Sequence, residues 1–139
     1  MTVMKKKQIV FLLFFLTTLV LQAQHLTAHR GDVKDAYNFW FYEPPTDSDT
    51  LKQSSNQAIK QSVKPLIVFL HGKSLSGKNL NRVKRYGPSN AREMGMKIDA
   101  YVLAPQTSNG WTPQRVIRLV DWAEERYAVD TNRIYLIGM

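Results

Sequence analysis

Apolar and polar residues alternate along the chain in blocks, and each block carries a structural expectation. Residues 37–42 read Tyr-Asn-Phe-Trp-Phe-Tyr, an aromatic run of strong strand propensity. Glu43-Pro44-Pro45 stops it, because proline cannot donate to a ladder. Residues 46–64 are polar, rich in Ser, Gln, Thr, Lys and Asp, and show no apolar period; they suit a surface connection or a hairpin return. Residues 66–70, Leu-Ile-Val-Phe-Leu, are continuously apolar, as in a strand buried on both faces of a parallel sheet. His71-Gly72 ends that run. Residues 73–88 form a basic, glycine-containing loop with a short helical turn over 80–85. Ser89 is expected to cap a helix over 90–96, with Ala91 and Met94 turned inward. Residues 100–104 are a second buried strand, ended by Pro105. Thr112 is an expected N-cap with Pro113 at the first helical position, where its missing N–H costs nothing. Val116, Leu119, Val120, Ala123 and Tyr127 then recur at three- and four-residue spacing, which predicts a helix over 113–127. Asp130-Thr131-Asn132 reads as a turn, and residues 134–137 as a further strand leading into Gly138-Met139. Strand, helix, strand, helix, strand predicts an α/β fold. Its crossovers should be right-handed and its sheet mostly parallel, flanked by helices on both faces.

One block does not belong to that pattern. Residues 9–21 form an apolar stretch interrupted only by Thr17 and Thr18, preceded by Lys5, Lys6 and Lys7 and followed by Gln22-Ala23-Gln24. As a helix it would reach about 20 Å, short of the ~30 Å hydrocarbon core. Cationic patch, short apolar core and small residue follow the order of a secretory signal peptide, with cleavage expected after Ala23. The expected organisation is a signal peptide over 1–23, a polar lead-in over 24–34, and a partial α/β domain over 35–139. Such a leader implies export to the periplasm or the medium, with no stable membrane insertion after cleavage. Removing the leader takes three lysines from a net charge of +8. The remaining surplus includes Lys78, Arg82, Lys84 and Arg85, with Tyr86 the only ring beside them. That cluster reads as a solvated face, so no nucleic-acid partner is expected. The chain has no cysteine, which excludes a thiol nucleophile, a disulfide and any thiolate metal site.

In open α/β sheets, chemistry gathers at the carboxyl ends of the strands. Here these are His71-Gly72-Lys73, Pro105-Gln106-Thr107 and Gly138-Met139. Gly72-Lys73-Ser74-Leu75-Ser76-Gly77-Lys78 matches the first seven positions of a phosphate-binding loop, G-x-x-x-x-G-K-[ST]. Asn79 fails the last position, where a hydroxyl would hold magnesium, and Gly87-Pro88 interrupts the long helix that such a loop requires. A nucleotide-binding role for Gly72 to Lys78 is therefore the remote reading. In the other, Gly72 lets the backbone approach a substrate carbonyl, and the amide of Lys73 faces the developing oxyanion. His25 and His29, near Asp32 and Asp35, lack a defensible metal spacing and read as surface polar residues. Ser74 and Ser76 lack a strand-to-helix turn. Trp40, Trp111 and Trp122 read as core or rim aromatics, with Trp111 a candidate substrate contact in a post-strand loop.

Residues 133–139, Arg-Ile-Tyr-Leu-Ile-Gly-Met, resemble what precedes a nucleophile elbow, G-x-S-x-G. Together with residues 37–44, 66–72, 100–106 and the helix over 113–127, they resemble the N-terminal part of the α/β-hydrolase superfamily. The likeness is to secreted esterases of the polyhydroxybutyrate-depolymerase-like, feruloyl-esterase-like and dienelactone-hydrolase-like groups. The resemblance implies a chain truncated at the elbow that starts at Gly138 and Met139, with the nucleophilic serine expected just after Met139. The acid and histidine would come later still, so no catalytic triad residue lies in this chain. It implies one oxyanion donor, the Lys73 amide, supported by a structural His71 and by Gly72. It implies a serine acyl-enzyme without metal or organic cofactor, acting on a small-molecule or polysaccharide-linked ester. A prolyl-oligopeptidase-like serine peptidase shares these features, and a non-catalytic truncated product is the reading from another class.

Overall fold

The computed structural model describes residues 26–45 and 62–138. The signal-peptide reading, most of the polar stretch over 46–64, His25 and Met139 lie outside those residues. Five strands form one sheet: β1 (Leu26–His29), β2 (Asn38–Tyr42), β3 (Lys64–Leu70), β4 (Tyr101–Gln106) and β5 (Val129–Gly138), in the order β1-β2-β4-β3-β5. β3 runs parallel to β4 and to β5, whereas β2 is antiparallel to β4 and β1 antiparallel to β2. Between β3 and β4 lie two 3₁₀ helices, Lys73–Leu75 and Leu80–Arg85, and the helix α1 (Gly87–Glu93). Helix α2 (Pro113–Arg126) connects β4 to β5.

The pleat sorts the strand residues onto two faces. Phe39, Phe41, Leu66, Val68, Tyr101 and Leu103 meet Leu119, Trp122 and Ala123 of α2. Phe69 and Ala104 pack with Leu80 and Val83 of the second 3₁₀ helix, and Trp40 lies against them. The sheet is thus covered on one face by α2 and on the other by the connection from β3 to β4. Leu119 is fully buried, which removes a side chain worth about 1.5–3 kcal/mol from water.

Several elements depart from expectation for identifiable reasons. The lead-in carries β1, four residues whose polar Thr27 and His29 conceal the strand; His29 stacks on Phe39 with ring centroids 4.7 Å apart. Helix α1 starts at Gly87, not at Asn90. Gly87 turns the chain at φ +66° against the Phe69 ring, and Pro88 then opens the helix. Ser89 is consequently buried within the helix instead of capping it, and Met94 is 80% exposed instead of facing inward. Pro105 lies inside β4, opposite Phe39. The pairing of β4 with β3 runs only from Tyr101 to Leu103, so no ladder bond to β3 is lost at the proline.

Helix α2 spans the expected residues, but the Thr112 side chain makes no capping bond. The Thr112 carbonyl accepts from the amides of Arg115 and Val116, and its own amide donates to Tyr37 Oη at 2.7 Å. The expected turn at Asp130 is an irregularity inside a longer β5. Lys64 pairs with Val129 but Leu66 with Ile134, so extra residues loop out of register. Within it Asp130 accepts from the Asn132 amide and from Arg133 Nε at 2.6 Å. Beyond the bulge, Tyr135, Leu136 and Ile137 pair with β3 on one side yet are 52%, 64% and 39% exposed. As register partners of Ile67, Val68 and Phe69, they present apolar surface on both faces of the sheet edge.

Candidate active-site turn

The parallel register brings the expected strand ends to one level. Gly138 pairs with Leu70, and β4 ends beside them at Gln106. A cleft of about 610 Å³ opens there, lined among others by His71, Gly72, Lys73, Thr107, Trp111 and Gly138. Of the residues singled out from sequence, His71, Gly72, Lys73, Trp111 and Gly138 therefore share one cavity. A Cβ at Gly138 would meet only the Leu70 carbonyl oxygen at 3.6 Å, an ordinary contact, so packing does not demand glycine there.

His71 is 3% exposed and uses both ring nitrogens. The Thr107 amide donates to Nε2 at 3.2 Å, which makes Nε2 the acceptor; Nδ1–H then donates to the Gly72 carbonyl at 2.9 Å. Neither nitrogen is free to take a proton from a nucleophile. Trp111 Nε1 donates to the His71 carbonyl at 3.1 Å, its ring lies edge-on to the imidazole at 4.8 Å, and the Tyr37 ring meets it edge-on at 5.2 Å. The indole is thus pinned to the turn it lines.

Lys73 opens the first 3₁₀ helix, in which the first backbone bond runs from the Leu75 amide to the Gly72 carbonyl. The Lys73 amide precedes that bond and has no acceptor among the described residues. Its side chain is exposed. The arrangement offers an unspent backbone donor, the Lys73 amide, in the lining of a cleft at the end of a parallel strand.

Two residues that sequence reasoning left without a role hold the cleft together. Gln106, buried, donates from Nε2 to the carbonyls of Leu75 and Asn79 at 3.1 and 2.9 Å. Thr107 donates from Oγ1 to the Gly110 carbonyl at 2.8 Å and accepts the Gly77 amide on its own carbonyl. The available signal was a polar pair directly after a buried strand.

Hydrogen bonding weighs against the phosphate-loop reading. The amides of Leu75, Ser76 and Gly77 donate to protein carbonyls, so these three are not available to cradle a phosphate. Arg82 binds the carbonyls of Ser74 and Ser76, and the next element along the chain is a six-residue 3₁₀ helix, not a long α-helix. The basic cluster is also less solvated than expected, since Arg82 is spent on that loop and Lys84 lies 4.4 Å over the Trp40 ring. His29 binds Asp32 at 2.7 Å, Asp35 pairs with Arg118, and no group of three metal-ligating side chains occurs among the described residues. No helix among them is long and apolar enough to cross a membrane.

These features define a mixed α/β sheet with a cleft at its strand ends, and a solved esterase shares that fold. A crystal structure described as a thermostable esterase superposes over 86% of this chain with a TM-score of 0.51 at 18% identity. The chain spans 35% of that protein's length. At that identity the likeness is one of fold. No protein-family profile matches the sequence, and no curated protein matches it.

Proposed function

We propose that this chain is the N-terminal portion of an exported serine hydrolase that cleaves a carboxylic ester through a serine acyl-enzyme. The observation that carries the reading is the shared level of Gly138 and the His71-Gly72-Lys73 turn. A residue following Met139 would emerge beside the unspent Lys73 amide. In that geometry the Lys73 amide stabilises the oxyanion of the tetrahedral intermediate, a contribution of about 3–4 kcal/mol for one such donor. The second donor would be the amide after the nucleophile. His71 shapes the turn through both ring nitrogens, and the acid and base of the triad come from later in the chain. Trp111 supplies an aromatic wall for the substrate. The fold shared with a thermostable esterase supports a hydrolase reading, and the prolyl-oligopeptidase-like peptidase shares that fold.

The 139 residues alone are then inactive, because the nucleophile and its base are both missing. The reading frame beyond Met139 tests this directly. A Ser-x-Gly continuation is expected, and the full-length protein that carries it with the later acid and histidine should turn over p-nitrophenyl acetate. A continuation without serine at that place would overturn the assignment.

A further inference from the structure

A second groove, of about 350 Å³, adjoins the first across Thr107 and Ser108, which line both. It is walled by Asn38, Lys78, Asn109 and Arg115, with no aspartate or glutamate in its lining. Lys78 is exposed and has no ion-pair or hydrogen-bond partner among the described residues. Arg115 is held in place: it donates to the Ala36 carbonyl at 2.8 Å and lies 4.2 Å over the Tyr37 ring. Neither contact neutralises its charge. The nearby carboxylate of Asp35 pairs with Arg118 instead. Two unanswered cations, one of them fixed, with neutral amide and hydroxyl donors between them, form a place for an anion.

The sheet sets the distance to that place. From the end of β5 the strands run β3, β4, β2, and the groove sits where Asn38 of β2 pairs with Gln106 of β4. The Lys73 turn follows β3 and shares its cleft with Gly138 at the end of β5, so the space between them lies two strand spacings, about 10 Å, from the groove.

We propose that this groove is a carboxylate subsite, and that the substrate is an ester whose chain carries an anionic carboxylate about 10 Å from the ester carbonyl. The proposal deepens the esterase reading and rests on it. The guanidinium of Arg115 receives the carboxylate, Lys78 adds the second positive charge, and Thr107 and Ser108 form the sill over which the chain passes.

A titration of the isotope-labelled protein, followed by amide shifts, separates the two ideas. Monomethyl suberate, whose extended chain approaches the required span, is compared with neutral dimethyl suberate and with the shorter monomethyl succinate. Monomethyl suberate should shift Gly72, Lys73, Ser108 and Asn109 together. It should bind about fivefold tighter than the diester, the upper range for a partly exposed ion pair, and lose that margin in high salt. Lys78→Gln should shrink the margin; the Lys78 side chain holds no other described residue, so the fold is kept. Monomethyl succinate should reach only one of the two regions. Equal binding of monoester and diester, or a margin untouched by Lys78→Gln, overturns the subsite and leaves the esterase reading standing. Shifts at Asn109 with none at Gly72, Lys73 or Trp111 overturn the ester end of the proposal together with the esterase reading.

Discussion

At Gly87 a Cβ would lie 2.7 Å from two ring carbons of Phe69, in a backbone with φ +66°. Gly87→Ala therefore meets a clash and a left-handed penalty together, and should destabilise the protein by about 1–3 kcal/mol in urea denaturation. A loss below a few tenths would mean that the ring moves aside freely. Trp111 presents a different single-atom question. Trp111→Phe keeps an aromatic wall but removes the bond from Nε1 to the His71 carbonyl, at a net cost of about 0.5–1.5 kcal/mol. Amide exchange at Leu75 and Thr107, whose N–H groups donate to the Gly72 carbonyl and to His71 Nε2, should quicken in that variant, and unchanged exchange would show that the indole does not hold the turn. At this scale the sequence revealed which residues end the strands, because glycine and histidine interrupt an apolar run. It concealed what they touch. The pairing of His71 with Thr107 and the approach of Gly87 to Phe69 link positions far apart in sequence, and no local pattern encodes them.

Elements were legible where their period was local and long. Helix α2 follows from the three- and four-residue spacing of Val116, Leu119, Val120 and Ala123, and β3 from an uninterrupted apolar run. β1 was not, since four residues with two polar side chains carry no period, and its partner β2 supplies the order. The start of α1 was missed because Ser89 has the chemistry of a cap, while Gly87-Pro88 fixes the backbone earlier. The bulge in β5 adds a pH dependence. Bonds from Arg133 and the Asn132 amide hold the Asp130 carboxyl below its ordinary value of 3.8. A carboxyl depressed in the folded state stabilises it above the unfolded value, and that contribution is lost as pH falls through the folded one. Asp130→Asn should therefore lower the melting temperature slightly at neutral pH and converge on the parent protein as pH falls below 3.8, which flattens the acid decline. An unaltered acid profile would remove Asp130 from the account.

For the whole molecule, the α/β class and the covered faces could be read from alternating runs, whereas strand order could not, because it depends on pairings across the chain. The order places β5 at an edge with Tyr135, Leu136 and Ile137 exposed. Such an edge invites pairing with another chain. Concentration-dependent association should be visible by sedimentation, and Leu136→Lys should reduce it without lowering the melting temperature; a monomer at all concentrations would contradict this. The central claim is that the nucleophile stands immediately beyond β5 and is absent from the 139 residues. Treating the purified chain with a fluorophosphonate, and mapping any adduct by mass spectrometry, tests that claim most directly. The account predicts no adduct on this chain, and in the full-length protein, which carries the later acid and histidine, a single adduct on the residue after Met139. An adduct on Ser74, Ser76 or Ser108 of the chain itself, accompanied by ester turnover, would contradict it.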